Sequence, residues 1–177
     1  QLTAIKNSTA DSILITTNAG QIATILKQYR ELGLKQLVLT TGGSNYPGAV
    51  IKLSSPEVAE GTYHLMFFVP TRPDLAGDPE LAKWYIDEYN KRGLPDIGIG
   101  ESYRGFDGVH VIAKAIELNN CNLDPKGLDQ ALSKVEFKGL SGLIKFTLAN
   151  GRQSKPNVYL VRIEKGQMVV PDFQFTK

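Results

Sequence analysis

The residue types that do chemistry are sparse in this chain and badly spaced for catalysis. Two histidines, His64 and His110, lie far apart in sequence. His64 alternates with apolar residues as in a strand and His110 falls in a helical pattern, so each reads as a partly buried or surface histidine and no metal set is expected. Asp107 precedes His110 by three residues on the same helix, where the expectation is a solvated carboxylate. Ser44 lacks the GxSxG setting that exposes a nucleophile. The glycine-rich TTGGSNYPG lacks the GxxxxGK[ST] lysine and the GxGxxG spacing, which excludes the common phosphate loops and reads as a strand-to-helix loop. Cys121, the one cysteine, sits in NNCNLDP with no second thiol to form a disulfide and nothing beside it to activate it. No cofactor is implied.

Neutral hydrogen-bonding groups are better placed. Asn18 ends the run DSILITTN and starts the helical pattern AGQIATILKQYREL, where it serves as an N-cap. Thr41, Gly42 and Ser44 end the next apolar run in the same way. In open α/β sheets ligands sit beyond the carboxyl ends of the strands, so both junctions suit holding a ligand. Neither offers a general acid or base. A third cluster, GESYRGFDG, enters a long helix. There Glu101 and Arg104 form either an exposed pair or, with Tyr103, a carboxylate–phenol–guanidinium set able to recognise a small polar molecule.

The elements that would position these groups follow from periodicity. A helix end is expected at 2–6, strands at 12–17, 36–41 and 61–68, and helices at 19–32 and 48–53. Strand–helix–strand alternation at this spacing predicts right-handed crossovers and a parallel sheet. After the proline-rich VPTRPDLAGDP the pattern changes to three helices, at 79–91, 102–119 and 125–135, the first and third started by Asp-Pro. Trp84, Tyr85 and Tyr89 are expected on the packing face of the first. GLIKFTLANGRQ and NVYLVRIEKGQMVV then read as strands with turns at Asn150-Gly151 and Lys165-Gly166.

The 177 residues are 42% hydrophobic, enough for a core, and 20 basic against 18 acidic side chains leave a net charge of +2. Charges are dispersed, which argues against a nucleic-acid or anionic-lipid surface. No signal peptide, membrane span or lipidation motif is present in the sequence. The start at QLTAIKNSTADSILI falls inside a helix-to-strand connection and is expected to mark a fragment or processed piece.

Several stretches, in one order and spacing, carry a resemblance: QIATILKQYRELGLK, LVLTTGGSN, EVAEGTYHLMFF, DPELAKWYIDEYNKRG, RGFDGVHVIAKAIEL, FKGLSGLIKFTLANG and NVYLVRIEKGQMV. Together they resemble the C-terminal half of periplasmic substrate-binding proteins of the branched-chain amino acid (Leu/Ile/Val-binding) type of ABC importer. The resemblance implies an α/β fold of type I periplasmic binding protein kind, with Rossmann-like parallel-sheet lobes, present here as a C-terminal fragment. It implies that 1–70 belong to the second ligand-binding lobe, 71–155 to a helical segment crossing back to the first lobe, and 156–177 to strands returning to the second.

The function so implied is non-enzymatic: capture of an amino acid or related small carboxylate in an interlobe cleft, outside the cytoplasm, for delivery to an ABC permease. The ligand contacts it implies are Asn18, Thr41, Gly42, Ser44, Glu101, Tyr103 and Arg104. Gly42 stands where amino-acid binders of the family place an acid for the ligand's ammonium group, so a charge from Glu101 would be needed for an amino acid. A ligand-sensing receptor or regulator domain of the same fold, and a flavodoxin-like α/β enzyme, are the alternatives. The helices after residue 78 are expected to expose apolar faces that either repack or are covered by the N-terminal half or another chain.

Overall fold

The computed structural model describes residues 1–44, 46–146 and 156–172. The chain divides into two compact units. One comprises Gln1–Met66, Pro95–Gly98 and Val158–Lys177; the other comprises Phe67–Leu94 and Ile99–Asn157.

The first unit is built on a five-stranded sheet, β1 (Ser12–Asn18), β2 (Leu37–Ser44), β3 (Tyr63–Met66), β6 (Tyr159–Glu164) and β7 (Gln167–Val169), in that spatial order. The β1–β2 and β2–β3 pairs are parallel, as the alternation of strand and helix predicts. β6 joins β3 antiparallel, and β7 folds back on β6. The Lys165-Gly166 turn between them takes positive φ at both positions, 51° and 72°, the geometry that matches strand twist in a two-residue hairpin.

Helix α2 (Ala19–Glu31) follows β1 and buries Ala19, Ile22, Ala23, Leu26 and Tyr29, the three-and-four spacing visible in the sequence. Ile22 and Leu26 are fully shielded from solvent, each contributing about 1.5–3 kcal/mol by burial. The helix stops at Gly33, whose φ of 65° lets Leu34 N–H reach back to Tyr29 O at 3.2 Å. The helix end α1 (Leu2–Lys6), α3 (Pro47–Leu53) and the short α4 (Pro56–Ala59) complete this unit; α4, a single proline-initiated turn, is absent from the sequence reading.

His64 differs from expectation. It is wholly buried in β3, with Thr40 Oγ1 2.7 Å from Nδ1 and Thr62 Oγ1 2.9 Å from Nε2. Thr62 donates its hydroxyl hydrogen to Ala59 O at 2.7 Å, so the imidazole donates from Nε2 and Thr62 accepts. A buried imidazole satisfied at both nitrogens is a core element.

The second unit holds α5 (Pro79–Lys91), α7 (Tyr103–Leu118), α8 (Pro125–Leu132) and a hairpin of β4 (Glu136–Gly139) with β5 (Gly142–Lys145). The short α6 (Asp96–Ile99) belongs to the first unit as far as Gly98. Asp78 caps α5, accepting from Glu80 and Leu81 N–H at 3.1 and 3.0 Å, and Asp124 caps α8 through Gly127 N–H at 2.9 Å, as the Asp-Pro pairs indicate.

GLIK forms a strand as expected and pairs antiparallel with EFKG through a Leu140-Ser141 turn, while the Asn150-Gly151 turn lies outside the described residues. Two expectations are corrected here. α8 ends before Val135, which joins the core formed with Ala115 and Ala131. Tyr85 and Tyr89, one turn apart, are buried, but Trp84 is rotated off that face and 53% exposed, because adjacent helical residues point about 100° apart. On α7, Val109 and Ile112 are 65% and 59% exposed, and a Cβ at Gly105 would meet open space; this is the exposed apolar helix face anticipated above. Cys121 is exposed and free.

Candidate functional site

The first unit places its candidate residues at the carboxyl ends of two adjacent parallel strands. β1 and β2 run in register from Ser12 opposite Leu37 to Thr16 opposite Thr41, and then Asn18 falls opposite Ser44. Two residues on β1 therefore span three on β2, so β2 carries a bulge at the Gly42-Gly43 pair. The sequence reading ended this strand at Thr41; it continues through Ser44 because glycines tolerate the irregular backbone of a bulge. The bulge brings Asn18 and Ser44 alongside each other at the sheet's end.

Asn18 Oδ1 accepts from Gln21 N–H at 3.0 Å, which caps α2. The same residue lines a groove of about 910 Å³ with Thr16, Thr17, Gln21 and Thr24. Its lining at this end is wholly neutral: hydroxyls, carboxamides and backbone. Such a surface can orient a polar ligand but has no titratable group for proton transfer.

The second cluster stands at the start of α7. Arg104 Nη1 lies 2.6 Å from Glu101 Oε2, an ion pair without hydrogen-bond alignment at that oxygen. Arg104 Nε donates to Tyr103 Oη at 3.1 Å, and the guanidinium carbon sits 5.3 Å from the centre of the Tyr103 ring. Tyr103 is buried and Glu101 largely so. Tyr103, Arg104, Asp107 and Val111 line a cavity of about 340 Å³ with Phe67 and Phe146. Of the two arrangements open from sequence, the Glu101–Arg104 pair forms, and it forms partly shielded from solvent with Tyr103 attached to it.

Burial holds the Glu101 carboxyl above the ordinary glutamate value of 4.5, outweighing the opposing effect of Arg104, and burial likewise raises the Tyr103 phenol. The folded state therefore keeps the Glu101 proton more firmly than the unfolded chain, so stability is lost as pH rises from the ordinary value through the raised one. Glu101→Gln is expected to flatten that limb. Urea midpoints of the two proteins between about pH 4 and 7 check this; parallel curves would refute it.

Asp107 is the residue whose role the sequence reading missed. It is buried, with Oδ1 accepting from Leu140 N–H at 2.9 Å and Oδ2 accepting from Ser141 N–H at 3.0 Å and Ser141 Oγ–H at 2.8 Å. The FDG start of α7 and the FKGLSG hairpin are thus one physical latch. Gly139 and Gly77 are required by it: a Cβ on Gly139 would lie 2.7 Å from Asp107 Oδ1, and one on Gly77 2.5 Å from Gly142 O. The latch fixes the first turns of α7, and with them Tyr103 and Arg104. The signal available in sequence was the co-occurrence of small residues around a lone acid.

Among the described residues no group of three or more His, Cys, Asp or Glu side chains is arranged to hold a metal, and no helix is long and apolar enough to cross a membrane.

No curated protein sequence matches the chain. Among solved structures, a leucine-binding protein from Thermotoga maritima is 24% identical with a TM-score of 0.79, over 97% of this chain and 46% of that one. A branched-chain amino acid ABC transporter protein from Thermus thermophilus with bound valine is 20% identical with a TM-score of 0.79, over 99% and 48%. A fatty acid ABC transporter substrate-binding protein from Thermomonospora curvata is 22% identical with a TM-score of 0.76, over 96% and 44%. The chain spans about half the length of these structures and shares their type I periplasmic binding protein fold. The sequence model of the periplasmic binding protein family matches residues 1–167, and the chain belongs to that family.

Proposed function

We propose that this chain is the C-terminal part of an exported solute-binding protein that captures a small carboxylate and delivers it to an ABC permease in the membrane. The observation that carries the reading is the family match across residues 1–167. The similar structures include a leucine-binding protein, one with bound valine and one in complex with benzoate, and a carboxylate is common to all three ligands. Asn18, Thr41, Gly42 and Ser44 are the proposed contacts on the first unit, and Glu101, Tyr103 and Arg104 those on the second.

Neutral donors at the strand ends suit a carboxylate, whereas an ammonium group requires a carboxylate of the protein when it is desolvated. Glu101 is the candidate for that role, and it is already committed to Arg104. Carboxylates without an ammonium group are therefore favoured over amino acids. Calorimetry in a polypeptide spanning the full length of the related structures, against amino acids and their deaminated counterparts, tests the reading. Binding without product formation supports it; turnover of any bound solute overturns it.

Asn18 separates the cap from the contact. Asn18→Asp keeps a capping acceptor and adds a negative charge beside the ligand, so helix stability is expected to hold while carboxylate affinity falls about tenfold or more. Asn18→Ala is expected to lose about 1 kcal/mol of stability. Thermal melts and calorimetry on both variants check this, and an unchanged affinity in Asn18→Asp leaves Asn18 as a cap alone.

A further inference from the structure

At the opposite end of the first unit's sheet, where β2 and β3 begin, a cleft of about 300 Å³ is lined by Arg30, Lys35, Tyr63 and Arg162 together with Glu60 and Thr62. Its charges do not cancel. The Arg30 guanidinium donates to backbone carbonyls, from Nε to Val58 O at 3.1 Å and from Nη2 to Glu60 O, and among the described residues no carboxylate pairs with it. Among the described residues the Lys35 ammonium has no partner. The Glu60 carboxylate is turned to the β6–β7 hairpin, accepting from Lys165 N–H at 3.0 Å and Gly166 N–H at 3.3 Å.

Arg162 supplies the second observation. It stands opposite Tyr63 in the β3–β6 register, with its guanidinium carbon 5.5 Å from the Tyr63 ring centre. Nη1 pairs with Glu164 at 2.9 Å, but Nε is shielded from solvent with no acceptor. A shielded guanidinium N–H without an acceptor is uncommon and marks a place where an ion or water belongs. Three cations converge on one cleft, one of them with a donor left over and another with no partner. That is the arrangement that takes a small anion, since guanidinium and ammonium groups bind oxyanions through charge-assisted hydrogen bonds.

We propose that this cleft binds a small free oxyanion, phosphate or carboxylate, held by Arg162 and Lys35 with Arg30 adding to the local positive field. The site lies at the far end of the strands from Asn18 and Ser44 and stands independently of the solute reading above. Arg162 lines the cleft and its side chain is 41% exposed, so its guanidinium is within reach of a solute entering there.

The test is an NMR titration of the 177-residue chain with inorganic phosphate, following the Arg162 Nε–H and the Gly61 and Tyr63 amides, with parallel acetate and chloride arms. One saturable site on those resonances is expected, with little response to chloride. Shifts with phosphate and acetate alike assign the site to oxyanions in general; shifts with phosphate alone assign it to tetrahedral ones. Lys35→Gln and Arg162→Gln are each expected to weaken binding about tenfold, while Lys52→Gln, on α3, leaves it unchanged. Amide dispersion of each variant verifies that it is folded. Absence of a saturable shift, or full binding in the Lys35→Gln/Arg162→Gln double variant, overturns the proposal and leaves the strand-end solute site untouched.

Discussion

Replacing Asp107 by alanine is expected to cost the second unit about 3 kcal/mol or more, because it strands two buried N–H groups at about 1–3 kcal/mol each. Those groups are Leu140 N–H and Ser141 N–H, and the Ser141 hydroxyl loses its acceptor with them. The loss is larger than for a surface acid because water does not replace these hydrogen bonds at a buried turn, so the donors are left unsatisfied. Asp107→Asn keeps one acceptor oxygen and turns an amide NH₂ toward the other donors, so about half the loss is expected. Urea unfolding together with amide exchange at Leu140 and Ser141 measures both. A cost below about 0.5 kcal/mol, in the range of ordinary surface substitutions, would show that the hairpin turn holds without its latch. With the latch open, the start of α7 is freed, so Tyr103 and Arg104 should lose their fixed positions and any ligand affinity they supply.

Phe68→Ala is expected to be comparably damaging, at about 3–5 kcal/mol. Phe68 is fully buried, and its ring sits edge-on to Tyr85 at 5.8 Å and tilted against Tyr103 at 5.9 Å. Truncation removes the apolar burial and leaves a void whose walls, two tyrosines with raised phenol pKa values caused chiefly by burial, are opened toward water. Phe68→Leu keeps most of the volume and should cost less than half as much. Thermal unfolding and the near-ultraviolet circular dichroism of the tyrosines report the two variants. Equal losses for Leu and Ala would mean that ring geometry, rather than volume, holds the site together.

Much of the first unit was legible in the sequence. Ile22, Leu26 and Tyr29 repeat at helical spacing, and Asn18 stops a strand and caps that helix; both patterns are local, and the structure keeps them. The Asp-Pro starts of α5 and α8 were legible for the same reason, since a cap and a proline act within one turn. The family resemblance rested on the order of such local stretches and is matched over residues 1–167.

What was not legible involves partners distant in sequence. Asp107 is three residues from His110 but 33 from Leu140, and only the fold brings the carboxylate to the hairpin turn. His64 looked like any strand histidine until Thr40, from the neighbouring strand, closed over its Nδ1. GLIK alternates as a strand, yet alternation does not say which segment it pairs with, and EFKG carries too little apolar pattern to announce itself. Trp84 was misplaced for a geometric reason: a one-residue step turns a helical side chain by about 100°, so it cannot share a face with Tyr85.

The sequence by itself therefore determined the longer elements, the caps of α2, α5 and α8 and the parallel character of the first sheet, because hydrophobic period, capping and turn chemistry act over one or two turns of chain. The tertiary structure alone decided the bulge that sets Asn18 beside Ser44, the Asp107 latch beneath Tyr103 and Arg104, and the cluster of Arg30, Lys35 and Arg162. Each depends on strand register or on contacts between residues far apart in the chain, and those are fixed only when the whole core packs at once.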